Sequence, residues 1–169
     1  MIYVILNLIG ILISLTILIY LAFLIVIPKT IPKKIPASME SEIKKLKRKR
    51  LTDLQFVKEA YELINKRYVS ETRGVLKNPF NIFENGVFEI WYNKKYQPCS
   101  NQNYILKIFL IKSRRFTEED IKSKIDTKYI IWPHQFLKIK IRKKWYEVDL
   151  WGADHKIPFG QHFCLMHKK

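Results

Sequence analysis

Residues 1–27 contain no Asp, Glu, Lys or Arg and are mostly Ile, Leu and Val, with Asn7, Ser14 and Thr16 as the main polar interruptions. A helix of that length, rising about 1.5 Å per residue, crosses a hydrocarbon core of roughly 30 Å with some tilt. Such a run is too long and uniform to be one helix among equals in a small soluble core. The positive leader, short apolar stretch and small-residue cleavage site of a secretory signal are not evident. The expectation is a retained, single-pass transmembrane helix over 1–27, a juxtamembrane linker over 28–50 and one folded domain over 51–169.

The charge pattern beyond that run sets an orientation. The formal net charge of +16 lies wholly after residue 27, beginning with Lys29, Lys33 and Lys34 and continuing through the block from Lys44 to Arg50. Basic segments resist translocation, so the domain is expected on the cytoplasmic side of the membrane. The same block would be drawn to anionic lipid headgroups. Nucleic acid is the rival partner for so basic a chain, but no zinc-finger spacing, Gly-rich RNA-binding signature or recognition-helix motif accompanies the charge. The two cysteines, Cys99 and Cys164, are too few for a disulfide framework, and a cytoplasmic domain would keep them as thiols.

Pro28, Pro32 and Pro36 interrupt the start of the linker and point to an extended spacer. Residues 39–50 place Ile43 and Leu46 at helical spacing among lysines, as in a surface helix near headgroups. Thr52 with Gln55 forms a capping-box pattern ahead of Leu54, Val57, Tyr61 and Ile64, predicting a helix over 53–66. Gly74, Asn78-Pro79, Asn85-Gly86 and Gln97-Pro98 break the following stretch, within which 88–92 reads as a short strand. From Cys99, the capping-type side chains Ser100, Asn101 and Asn103 lead into the apolar run 104–112, a helix buried on most sides. Thr117 followed by Glu118, Glu119 and Asp120 looks like another short helix start. Strict alternation over 136–142 and again over 145–151, with a polar link at Lys143-Lys144, predicts an antiparallel hairpin. Helices followed by paired strands make the class α+β.

Three residues then stand in settings suited to thiol chemistry. Cys99 opens a helix, where the dipole favours a thiolate and its own N–H can help bind an oxyanion. His134, at the mouth of one strand, can take the thiol proton and return it to a leaving amine. Asp149, on the partner strand, can hold the ring in the required tautomer. A turn at Lys143-Lys144 would pair Asp149 with about Lys138, four residues from His134, so a bulge, twist or bend must close that gap. Gln97, Asn101 and Gln102 are the amides near the cysteine for a second oxyanion donor, and Gln97 ranks first because it precedes the helix. His155, His162, Cys164 and His167 lack the paired spacing of a zinc site, so no metal is expected. Trp132, Trp145 and Trp151 read as core and rim packing near the site, with Trp132 and Trp151 lining a cleft as the alternative.

In this order and placement the segment resembles the transglutaminase-like superfamily, papain-like thiol enzymes with the order Cys, His, Asp. Three pieces carry the resemblance. They are Cys99 with its apolar helix through Ile111, His134-Gln135-Phe136-Leu137-Lys138-Ile139, and Lys144-Trp145-Tyr146-Glu147-Val148-Asp149. The resemblance spans roughly residues 51–163. It implies a papain-like domain with a Cys-bearing central helix packed on an antiparallel sheet, and a cofactor-free acyl-enzyme mechanism acting on an amide of a protein or peptide near the membrane. Cys99 would be the nucleophile, His134 the general base and acid, and Asp149 the orienting carboxylate. Ser100 stands where the cross-linking members often carry tryptophan, and no calcium loop is evident, which favours a peptidase or amidase. The alternative is a catalytically inactive, membrane-tethered interaction module that binds anionic lipid or an acidic partner.

Overall fold

The computed structural model describes residues 2–26, 30–68, 84, 86–94, 97–128 and 132–162. Cys164, His167 and the breakers Gly74 and Asn78-Pro79 lie outside them. Helix α1, Ile2–Val26, takes up the apolar run, and its described side chains, at 3–18, are all exposed. Among the described residues no helix is long and apolar enough to cross a membrane. The α1 backbone nevertheless continues helical past residue 18 to Val26.

The domain is α+β. Its helices are α2 (Ala37–Arg48), α3 (Asp53–Arg67), α4 (Val87–Tyr92) and α5 (Cys99–Lys112). A three-stranded antiparallel sheet follows in the order β1 (Ile121–Lys128), β2 (Trp132–Ile141), β3 (Lys144–Val148), and a single turn, α6 (Leu150–Asp154), closes it. The start of α3 obeys the capping box: Gln55 N–H donates to Thr52 Oγ1 at 3.4 Å and Thr52 N–H to Gln55 Oε1 at 2.9 Å. Helix α5 runs through the middle, and its Ile105, Leu106, Ile108, Phe109 and Leu110 are fully buried between the other helices and Leu137 and Ile139 of the sheet. A helix enclosed on all sides needs no polar face.

Several expectations change. The linker is part of the domain: Met39, Ile43 and Leu46 of α2 are buried in the same core as α3 and α5, so that apolar face is not free for a membrane. Residues 30–36 are strapped to α5 rather than standing off as a spacer. Tyr104 Oη donates to Thr30 O at 2.9 Å and Lys112 Nζ to Lys33 O at 3.1 Å. The segment read as a strand at 88–92 is helical, because Val87, Ile90 and Trp91 bury one helical face while Phe88 and Tyr92 stay exposed. Thr117 starts a turn instead of a helix. Asp120 Oδ2 accepts from Thr117 N–H at 3.0 Å and from its Oγ1 at 2.8 Å, and the chain enters β1 directly. Finally, β3 stops at Val148, and Leu150 and Trp151 belong to α6.

Candidate functional site

The N-terminus of α5 is built by Pro98, whose φ of −63° and ψ of 158° set the extended residue before the first turn. Asn101 and Gln102 donate backbone N–H to Pro98 O at 3.0 and 3.1 Å, the first bonds of the helix. The N–H groups of Cys99 and Ser100 precede those bonds and point out of the helix start with the positive end of its dipole. Cys99 is a free, partly exposed thiol at that position.

The hairpin delivers the other two residues. Ile141 pairs with Lys144, so the turn is Arg142-Lys143, with Arg142 at φ 58°. Moving the turn by one residue from the expected link shifts the register by two. Leu137 therefore faces Val148, and Asp149, the next residue, leaves the ladder beside Phe136 rather than Lys138. His134 is two residues further along, within diagonal reach for a side chain at a strand end. The gap is closed by this register together with the end of β3: Asp149 caps α6, accepting from Gly152 N–H on Oδ1 at 2.9 Å. Its Oδ2 then meets His134 Nε2 at 2.8 Å, with both residues almost completely buried, at 3% and 2% exposure.

Asp149 thus occupies one ring nitrogen, and the Cys99 side chain is near enough to the same ring to act on its charge. Burial alone would pull the His134 pKa down. The interactions with Asp149 and Cys99 outweigh it and raise the pKa to about 10, which favours the charged form of the ring. With Nε2–H donating to the carboxylate, Nδ1 is the nitrogen left for the sulfur. Of Cys99, His134 and Asp149, the structure joins the last two directly and sets Cys99 close enough to His134 to affect its charge.

Further residues hold this arrangement. Asn103, one helical turn after Cys99, donates Nδ2–H to the carbonyl of Gln135 at 2.6 Å, tying α5 to β2 next to His134. Tyr61 Oη donates to Asp149 O at 3.3 Å and links α3 to the same point. The Trp151 ring lies 5.3 Å from the His134 ring and 3.8 Å from that of His155, and it covers the imidazole. The sequence reading gave Asn103 only a capping role. The available signal was an asparagine just inside an apolar helix, where it must find a buried partner.

No protein-family model, curated protein or solved structure matches this chain. The case for chemistry therefore stands on the geometry.

Gln97 is fully buried just before Cys99, and its amide is engaged. Nε2 donates to Glu84 Oε2 at 2.8 Å and to Asn93 O at 3.4 Å, while Oε1 accepts from Asn101 Nδ2 at 2.8 Å. Gln102 Nε2 donates to Gln97 O at 2.8 Å. This network fixes the turn into α5. For Gln97 to serve an oxyanion it would have to exchange one of these bonds for the substrate. His162 is placed differently again: its ring is stacked 4.0 Å from Phe136, Nδ1 faces Glu147 Oε2 at 2.7 Å and Nε2 faces Asp126 Oδ2 at 3.2 Å. Glu147 has a lowered pKa. Burial opposes that shift, but hydrogen bonds from His162 and Lys138 override it. Among the described residues no group of His, Cys, Asp and Glu is arranged to hold a metal ion.

Proposed function

We propose that this chain is a membrane-anchored, transglutaminase-like cysteine enzyme that cleaves or transfers an amide acyl group of a protein or peptide through a Cys99 acyl-enzyme. The observation that carries the reading is the buried His134 ring, bonded to Asp149 with the Cys99 side chain near enough to raise its pKa. An imidazolium in that place stabilises a thiolate, and the thiolate is the attacking species.

The steps follow from the geometry. Cys99 Sγ adds to the amide carbonyl carbon, and the oxyanion forms where the N–H of Cys99 and the dipole of α5 can stabilise it. His134 gives its proton to the leaving nitrogen as the C–N bond breaks, leaving a thioester on Cys99 and a neutral ring. That ring then accepts a proton from water as the water attacks the thioester. Collapse expels the thiolate and restores the ion pair with release of a carboxylic acid. An amine in place of water gives acyl transfer. Ser100 in place of a tryptophan favours hydrolysis, and none of these steps needs a cofactor. Asp149 stays ionised and holds the ring through both proton transfers.

The anchor rests on α1, whose 25 residues would extend about 37 Å without a charged side chain. With the lysines that follow it, this supports a single-pass protein whose domain faces the cytoplasm and acts on substrates close to the bilayer. Alkylation by iodoacetamide at pH 7, read by peptide mapping, tests the site. Cys99 is expected to react at least tenfold faster than Cys164 or than Cys99 in the unfolded chain, and to lose that advantage in His134→Ala. Equal reactivity throughout would support the inactive interaction module instead.

A further inference from the structure

Away from Cys99, a groove of about 630 Å³ opens between residues 33–35, α2 and the end of α5. Six cations line it: Lys33, Lys34, Lys44, Lys47, Lys112 and Arg114. The one carboxylate in its wall is Glu40, which pairs with Lys44 at 3.0 Å, so six positive charges against one negative leave a formal +5. Elsewhere several exposed lysines come with carboxylate partners, as Lys45 with Glu42, Lys49 with Glu59 and Lys66 with Glu62, while Lys58 lies over the Phe159 ring. In the groove, Lys33, Lys34, Lys47, Lys112 and Arg114 have no carboxylate partner among the described residues. Lys112 spends one N–H on the carbonyl of Lys33, which fixes its ammonium at the groove without neutralising it.

Helix dipoles account for part of this. Lys112 is the last residue of α5 and Arg114 follows its C-cap, where cations are favoured. They do not account for Lys33 and Lys34, which lie on no helix. Nor do they explain the backbone at Arg114, which has φ 63° directly after the C-cap Ser113. Glycine is the unstrained residue for that left-handed position. A charged side chain stands there at a conformational cost and lines the groove.

We infer that this groove binds the phosphate-bearing headgroup of an anionic phospholipid in the membrane that holds α1. The choice of a lipid over a free anion rests on the anchor proposed above and on two facts of placement. Lys33 follows Val26, the last residue of α1, by seven positions, so the groove wall is within about 25 Å of the helix end however the intervening chain runs. The groove is also amphipathic: Phe88, 46% exposed, is part of its lining and offers an apolar surface to the part of a lipid below its phosphate. Convergence from three chain segments distinguishes this site from the diffuse attraction of a basic tail, because Lys112 and Arg114 are far in sequence from the juxtamembrane lysines.

The test uses the full-length chain in neutral detergent micelles, titrated with a short-chain phosphatidylserine, the matching phosphatidylcholine and inorganic phosphate. Lys34→Glu with Arg114→Glu is compared with Lys124→Glu and Lys143→Glu, which change the net charge equally but lie on β1 and the hairpin turn. The groove pair is expected to weaken phosphatidylserine binding at least tenfold and the control pair less than twofold. Arg114→Gly, which relieves the left-handed strain and so keeps the fold, is expected to weaken it at least threefold. Equal losses in the two pairs, or phosphatidylcholine or inorganic phosphate binding as tightly as phosphatidylserine, would overturn the inference. Alkali extraction of membranes tests the insertion of α1 separately, and Cys99 alkylation is unaffected by the groove variants, so failure of the anchor or of the catalytic reading is distinguishable from failure of the groove.

Discussion

Replacing Asp149 by asparagine and by alanine separates the two tasks of its carboxylate. Oδ1 caps α6 through Gly152 N–H at 2.9 Å, and Oδ2 holds His134 at 2.8 Å. In Asp149→Asn the remaining oxygen keeps the cap, and the new NH₂ group faces Nε2 of the ring. Two donors cannot share a hydrogen bond, so the ring must move its proton to Nδ1 and become neutral. An Nδ1–H imidazole cannot accept the Cys99 proton. The loss is that of a charge-assisted bond, about 1.5–3 kcal/mol, or roughly 10- to 150-fold in the rate of Cys99 alkylation at pH 7. Stability should change little.

Asp149→Ala removes both tasks. The lost cap costs about 1 kcal/mol and the buried, unpaired ring about 1–3 kcal/mol more, giving a destabilisation of roughly 2–4 kcal/mol on top of the same kinetic defect. Stopped alkylation with mass mapping, alongside urea unfolding, reads the two effects independently. An asparagine variant that folds normally and alkylates at Cys99 as fast as wild type would refute the assignment of Asp149 as the group that charges the ring.

Gly152→Ala should reproduce part of the defect without replacing Cys99, His134 or Asp149, because its Cβ would stand 2.9 Å from Asp149 Oδ2 and 3.2 Å from Ile157 Cβ. Slowed Cys99 alkylation with a loss of about 1–3 kcal/mol in unfolding would bear this out. Asn103→Leu leaves the Gln135 carbonyl without its partner, at a cost of about 1–3 kcal/mol, and should shift the pH profile of Cys99 alkylation, whereas a purely structural contact would alter stability alone. The pKa of His134 stands raised, at about 10 against its ordinary 6.5. Its contribution to stability is therefore fully present below pH 6.5 and lost as pH rises through 10, and melting temperatures of wild type against His134→Gln should converge over that window.

The starts of α3 and α5, the β2 strand and the His134–Asp149 pair were legible because each carries a local signal: Thr52 with Gln55, Pro98 before an apolar run, alternation after His134. What failed was long-range. Arg142 at φ 58° is neither glycine nor asparagine, so nothing in the sequence marked the turn that sets the hairpin register. Strand β1 offered no apolar face to read, since Ile121 is buried but Ile125 is exposed, as are Lys122 and Lys124. The apolar residues of α2 looked membrane-facing because their partners, on α3 and α5, are brought to them only by the fold.

A buried His–Asp pair can be purely structural, and the distribution of polarity around Cys99 argues against that here. Ser100, Asn101, Gln102 and Asn103 are four consecutive residues at 5% exposure or less, opening a helix whose continuation is apolar core. Leucine or alanine would fill such positions without requiring partners, whereas each amide has to be matched inside the protein. The matching is incomplete: Asn103 Oδ1 has no partner, although its Nδ2 reaches Gln135 O. A structural helix gains nothing from this arrangement. It becomes intelligible if the amides fix the helix start relative to β2, so that the ring and carboxylate remain sealed at 3% and 2% exposure while Cys99 stays partly exposed. That asymmetry, with a buried ring and carboxylate behind a partly exposed cysteine, fits a thiol nucleophile better than an internal ion pair.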